Sequence, residues 1–154
     1  MTTRQPKPYT EAQERRGDRF IKFMSSVNTG LYRRTGGRLG GRLAGAPVCL
    51  LTTIGRKSGE PRTMPLLYLR DGADIVLVAS KGGFSRHPQW YLNLLANPEV
   101  TVQIKRRRMD MRAEVADESR KAELWPRLVE MYRQYDDYQA RTDREIPVVI
   151  CTPR

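Results

Sequence analysis

The run Gly55-Arg56-Lys57-Ser58-Gly59-Glu60-Pro61-Arg62 sets three cations on a glycine-bounded turn behind a strand-like segment, and Ser80-Lys81-Gly82-Gly83 makes a second cationic turn. Glycines let backbone N–H groups approach an anion closely, Arg offers a planar fork of donors, and Lys offers a mobile point charge. Two such turns suit a polyanion, and a phosphorylated small molecule is the first ligand they suggest. Taken alone, the first turn also reads as a solvated hairpin tip.

The charge that surrounds these turns is lopsided. The net charge is +11, and residues 1–45 carry ten Lys or Arg against three acids. That N-terminal third is a basic arm, which suits nucleic acid, an anionic membrane surface or an acidic ligand. A non-enzymatic alternative takes the arm, Lys105 to Arg108 and the aromatics as a nucleic-acid or membrane-binding surface, but no recognised nucleic-acid motif accompanies the charge, and no nucleic-acid partner is expected. His87 is the only histidine and no Cys-x-x-Cys spacing occurs, so metal chemistry is not expected. Cys49 and Cys151 sit inside strand-like runs and read as small buried thiols of a reduced, cytoplasmic protein. No apolar stretch is long enough to span a membrane, and the first residues are too polar for a signal peptide.

The elements that must hold the turns follow from periodicity. Thr10 with Gln13 forms a capping box, and Phe20, Phe23, Met24, Val27 and Leu31 recur at helical spacing, opposite Arg15, Arg16, Arg19 and Lys22. This basic amphipathic helix either packs on its own domain or lies on a membrane surface, at the inner face of the cell membrane. The tandem Gly36-Gly37-Arg38-Leu39-Gly40-Gly41-Arg42-Leu43 reads as a mobile linker, lacking the ending of a phosphate-binding P-loop. Strands are expected at Val48 to Ile54, Arg62 to Arg70 and Asp74 to Ser80, the last two joined by Asp71-Gly72. A short helix follows from His87 to Asn97, then strands at Glu99 to Lys105 and Met109 to Ala116 across an Arg106-Arg107-Arg108 tip. Asp117 caps a helix through about Tyr132 that Pro126 kinks or restarts, and Ile146 to Cys151 is a buried strand. About six antiparallel strands with few helices favour a small β-barrel, an α+β fold that is mainly β, over a doubly wound sheet. The division expected is a basic arm over 1–45 and a barrel over 46–154.

Gly55-Arg56-Lys57-Ser58-Gly59-x-Pro61-Arg62, Pro65-Leu66-x-Tyr68-Leu69-Arg70-Asp71-Gly72, Ala79-Ser80-Lys81-Gly82-Gly83, Pro88-x-Trp90-Tyr91-x-Asn93-Leu94 and Ala96-Asn97-Pro98 together resemble the deazaflavin (F420)-dependent nitroreductase and quinone reductase family of actinobacteria. The likeness runs from about Pro47 to Pro153, through Trp125-Pro126, Tyr132, Tyr135-x-x-Tyr138 and Ile146-Pro147. It implies a split β-barrel of the FMN-binding-like kind. It also implies coenzyme F420, a 5-deazaflavin with a phosphodiester and an oligoglutamate tail, whose reduced form donates hydride. By similarity Arg56 and Lys57 hold the tail or phosphate and Arg62 and Lys81 the phosphate region. Pro65, Leu66, Ala79, Ser80, Trp90 and Asn93 meet the deazaflavin end, with Leu67, Gly82, Gly83 and Pro88 beside them. Trp90 reads equally as a core aromatic.

What the resemblance asks of the protein is mainly positioning, with the donor carbon roughly 3 to 3.5 Å from the acceptor. Negative charge then develops on the acceptor, and a hydroxyl donor aimed there stabilises it. Ser80, Tyr132, Tyr135 and Tyr138 are the implied donors, and Tyr135 also covers the deazaflavin. Leu67 stands where nitroimidazole-activating relatives carry tyrosine, which turns the expectation from prodrug nitroreduction to a hydrophobic acceptor such as a quinone or enone. A split barrel using FMN, with one phosphate on the same turns, is the alternative enzyme.

Overall fold

In the computed structural model, which describes residues 6–154, α1 (Glu11–Thr35) leads into β1 (Arg42–Leu43), β2 (Ala46–Ile54), β3 (Pro61–Leu67), β4 (Leu69–Asp71) and β5 (Asp74–Val78). Then come α2 (Gln89–Ala96), β6 (Glu99–Ile104), β7 (Arg107–Val115), α3 (Glu118–Met131), α4 (Gln134–Arg141) and β8 (Val148–Pro153). The strands run antiparallel in the order β1-β2-β6-β7-β8-β5-β4, with β3 on β2. The pattern of β2 explains its central place: Cys49, Leu50 and Leu51 are consecutive buried apolar residues, so both of its faces need cover.

Arg62 to Arg70 was expected as one strand and is instead bent at Tyr68. Its first part pairs with β2 from Val48↔Leu67 to Ile54↔Pro61, and its second part pairs with β5 from Leu69↔Val76 to Asp71↔Asp74. One bent strand therefore pairs with both β2 and β5, and the chain itself joins them into a split barrel of six strands, with the two-residue β1 added on β2. Tyr68 donates its N–H to the Pro47 carbonyl at the bend, 3.2 Å away, so the backbone group freed from the ladder keeps a partner.

Inside lies a cluster of Cys49, Leu51, Ile75, Leu77, Val102, Met111, Val149 and Cys151, with Trp90, Tyr91 and Leu94 of α2 packed into it. Burial pushes the Cys151 thiol up to about 12 and the Cys49 thiol higher still, so both stay protonated. A second cluster forms where α3 and α4 cover Val76, Val78, Ile146 and Val148 with Leu124, Leu128 and Tyr135.

Several expected boundaries shift for local reasons. Val148 opens β8 two residues late, because Pro147 has no N–H to give a ladder, although Ile146 is fully buried. The arginine tip is a turn at Lys105-Arg106, since Arg107 and Arg108 already pair with Ile104 and Gln103. Pro126 lies inside a continuous α3, capped by Asp117. The Gly36–Leu43 stretch, read as a linker, ends in β1, whose Arg42 and Leu43 pair with Pro47 and Ala46. Helix α4 was not expected: Gln134–Arg141 is polar on all but the side carrying Tyr135 and Tyr138.

Helix α1 has the expected capping box at Thr10 and Gln13. It docks on the barrel, but not through its apolar stripe. The docking face carries Glu14, Asp18, Thr29 and Tyr32, and Tyr32 accepts the Lys105 N–H at 2.6 Å. Phe20 and Phe23, on the far side of the helix, are 65% and 66% exposed, and Met24, Val27 and Leu31 are exposed as well. Residues 1–5 of the expected basic arm lie outside the described residues.

Candidate functional site

Between α1 and the barrel lies a cavity of about 680 Å³. The turn after β2 contributes Arg56, Lys57 and Ser58, β3 contributes Arg62, Thr63 and Met64, and α1 contributes Asp18, Lys22 and Ser25. Lys81 reaches it from the second cationic turn, and Pro88, Trp90 and Asn93 form its α2 wall. The two cationic turns thus face one cavity, with five cations and a single carboxylate on its walls.

Asn93 fixes the first turn. Its Oδ1 accepts the Arg56 backbone N–H at 3.2 Å and the Arg56 guanidinium at 3.1 Å, while its Nδ2 donates to Thr53 at 3.2 Å. Gln89 takes a further Arg56 N–H at 2.9 Å. These bonds hold the guanidinium against α2 and leave Lys57 exposed at the rim. Trp90 is only 4% exposed and belongs both to the barrel core and to the cavity wall, so packing and lining are one role here.

The second turn is held from below by Arg144. Its guanidinium donates to the carbonyls of Ala79 at 3.1 Å, Ser80 at 2.9 Å and Phe84 at 3.0 and 3.2 Å, and contacts His87 Nδ1 at 3.1 Å. With Arg144 as donor, Nδ1 is an acceptor and the imidazole proton sits on Nε2. Burial, and then the Arg144 charge, hold the His87 pKa below its ordinary value. Helix α1 braces the same turn from above. Glu14 accepts the Ser85 N–H at 2.7 Å and its hydroxyl at 2.8 Å, and Asp18 pairs with Lys81 at 2.9 Å.

The tyrosines form a separate group against this turn. Tyr132 and Tyr138 hydroxyls lie 2.9 Å apart and both reach Gln134 Oε1, at 2.8 and 2.9 Å. Tyr135 stacks edge-on to Tyr132 with ring centres 5.0 Å apart and is 4% exposed. Burial raises the Tyr135 and Tyr138 hydroxyl pKa values, so both remain neutral donors. Gly83 lets α4 come this close: its φ is +79°, and a Cβ there would stand 2.7 Å from the Tyr138 carbonyl oxygen.

Of the residues singled out in the sequence, Arg56, Lys57, Arg62, Lys81, Pro88, Trp90 and Asn93 line the cavity. Ser80, Gly82 and Gly83 belong to the turn behind Lys81, and Tyr132, Tyr135 and Tyr138 pack on the α3–α4 side of it. Pro65, Leu66 and Leu67 pair along β2, Leu66 packing on the barrel core and Leu67 on the apolar clusters under α1 and α3, and Ala79 is fully buried. The contributions of α1 were missed, although Glu14, Asp18, Lys22 and Ser25 recur at helical spacing as a polar face. Arg144 carries no motif that marks it.

A profile of the F420H(2)-dependent quinone reductase family matches residues 24–153. The chain is 43% identical over 132 residues to an F420H(2)-dependent quinone reductase of Mycobacterium tuberculosis, covering 83% of this chain and 89% of that one. Among solved structures it is similar to a domain-swapped dimer, with a TM-score of 0.66 and 37% identity over 82% of this chain and 93% of that one. It is also similar to an F420-H2 dependent reductase, with a TM-score of 0.64 and 42% identity over 68% of this chain and 93% of that one.

Proposed function

The chain belongs to the F420H(2)-dependent quinone reductase family, and from that premise we propose that its cationic groove binds reduced F420 for the reduction of a quinone. The enzyme is an F420H2-dependent reductase. The observation that carries the site assignment is the convergence of Arg56, Lys57, Arg62 and Lys81 on one cavity whose far wall is Trp90 and Pro88. That donor set fits the cofactor: cations for a phosphodiester and a glutamate tail, and apolar surface for a flat ring. A cavity of about 680 Å³ is of the size that takes a ligand of this class.

Bound there, the reduced deazaflavin supplies a hydride. The chain's own residues do the rest. Lys57 and Arg62 neutralise the tail and phosphate, and Asn93 and Gln89 keep Arg56 pointed along the same wall. Arg144 fixes the Ser80 backbone through its carbonyl, 2.9 Å away. When a quinone carbonyl accepts hydride, its oxygen becomes anionic and takes a proton. Ser80 and Tyr138, which sit on and against the second turn and not on the cavity wall, are the donors proposed for that oxygen, with solvent resupplying the proton. Activated enones and nitro compounds meet the same chemical requirement, and quinones are the acceptor class the family name supports. The test is oxidation of F420H2 with menadione, an enone and a nitroimidazole in turn. Faster turnover with menadione is expected, and no turnover with menadione overturns the quinone assignment.

We also propose that α1 carries the enzyme to an anionic lipid surface. Phe20, Phe23, Met24, Val27 and Leu31 are exposed on the side away from the groove, beside exposed Arg15, Arg16, Arg19 and Arg34. Apolar side chains flanked by cations match the boundary of an anionic bilayer, where a hydrophobic quinone dissolves. No helix among the described residues is long and apolar enough to cross a membrane. Sedimentation with phosphatidylglycerol vesicles tests the surface. Phe20→Ser with Phe23→Ser should abolish partitioning while leaving F420 binding unchanged, and equal partitioning of variant and wild type contradicts it.

A further inference from the structure

The groove holds one carboxylate among its cations, and that carboxylate is already in use. Asp18, on the docked face of α1, pairs with Lys81 at 2.9 Å, in a contact where the lysine side chain is 15% exposed and the aspartate 40%. Lys81 is held in place on the barrel side too. Its backbone has a φ of +44°, in the left-handed region that favours glycine, and its ammonium lies 5.8 Å from the Phe84 ring centre. Phe84 in turn abuts Gly17, one residue before Asp18, where a Cβ would stand 2.6 Å from the ring. The helix therefore comes close enough to place a carboxylate on the one cation that the second turn contributes to the cavity.

We propose that Asp18 is an affinity- and specificity-setting residue for the anionic cofactor. It neutralises Lys81 in the free protein, so an incoming phosphate must displace the carboxylate or share the ammonium with it. A ligand with one weakly held negative charge gains little by that exchange. One that also engages Arg56, Lys57 and Arg62 retains enough attraction to complete it. The proposal rests on the reading that this groove takes F420, and it adds a term that the barrel's own residues do not contain: a negative charge delivered by the N-terminal helix.

The test is a fluorescence titration with oxidised F420 of the wild type, Asp18→Asn and Asp18→Glu, at low and high salt. Asp18→Asn keeps the side-chain shape and removes the charge. It should bind about threefold to tenfold more tightly at low salt, the scale of one near-surface charge interaction. That gain should shrink at high salt, because a partly exposed pair is screened. Asp18→Glu keeps the charge and should stay within about twofold of the wild type. Equal or weaker binding by Asp18→Asn, or a gain that salt leaves intact, overturns the proposal. F420 binding by the wild type with no effect of Asp18→Asn refutes only this inference, whereas failure of the wild type to bind F420 refutes the groove assignment beneath it.

Discussion

Replacing Arg144 with Met should loosen the Ser80–Phe84 segment, Lys81 included, without substituting any residue that lines the cavity. The guanidinium serves three backbone carbonyls, those of Ala79, Ser80 and Phe84, at 2.9 to 3.2 Å. Each hydrogen bond contributes about 1 kcal/mol net, and water can reach part of this half-buried site, so the combined loss is about 3 kcal/mol rather than the larger figure for fully buried charge-assisted bonds. For a chain of 154 residues that corresponds to a Tm lower by about 6 to 12 °C. Arg144→Lys should recover less than half, because one ammonium cannot reproduce a planar fork that spans three acceptors. His87 gives an independent readout, since it is the only histidine and its NMR signal needs no assignment. Without the Arg144 charge its pKa should rise, while remaining below the ordinary value because burial is the larger cause. F420 affinity should fall about tenfold as the turn loses its fixed geometry. If Arg144→Met melts within a degree or two of the wild type, or leaves the His87 titration unmoved, the clamp does not act as described.

Four further outcomes follow. Lys57→Ala should weaken F420 binding about 10- to 150-fold, the range for losing one charge-assisted contact, with fluorescence quenching as the readout. Ser80→Ala should lower kcat for quinone reduction while leaving the F420 dissociation constant near that of the wild type, and loss of binding alone would move Ser80 to the cofactor. Tyr32→Phe should destabilise by about 1 to 3 kcal/mol in urea unfolding, because the Lys105 N–H loses its acceptor beneath α1. The depressed pKa of His87 means that the fold favours the neutral ring, so this contribution to stability is complete above about pH 6.5 and is lost as pH falls below it. Thermal melts from pH 7.5 to 5 should drop more steeply for the wild type than for His87→Gln.

The barrel was legible where pattern and burial agree. Val100, Val102 and Ile104 alternate and are buried, Asp71-Gly72 sits at the β4–β5 hairpin, and the apolar runs around Cys49 and Val149 became strands buried on both faces. The bend at Tyr68 was not legible, because a local pattern does not say that one strand must pair with both β2 and β5. Helix α4 escaped for a different reason: its burial depends on a tyrosine pair meeting a turn more than fifty residues earlier. The cationic turns could be read as anion-binding from their residue types. Their convergence, and the Arg144 clamp beneath the second, depend on the barrel's closure. Helix α1 inverted the usual rule that the apolar stripe faces inward, since its polar face found Ser85, Lys81 and Thr63 on the barrel and its apolar face was left outside.

The most direct test is to titrate the purified protein with oxidised F420 and, separately, with FMN, following each cofactor's own fluorescence, and to repeat both titrations with Lys57→Ala. Micromolar or tighter F420 binding that weakens with Lys57→Ala, alongside weak FMN binding, is the predicted result. Preference for FMN, or F420 binding that ignores Lys57, would contradict the assignment of the groove.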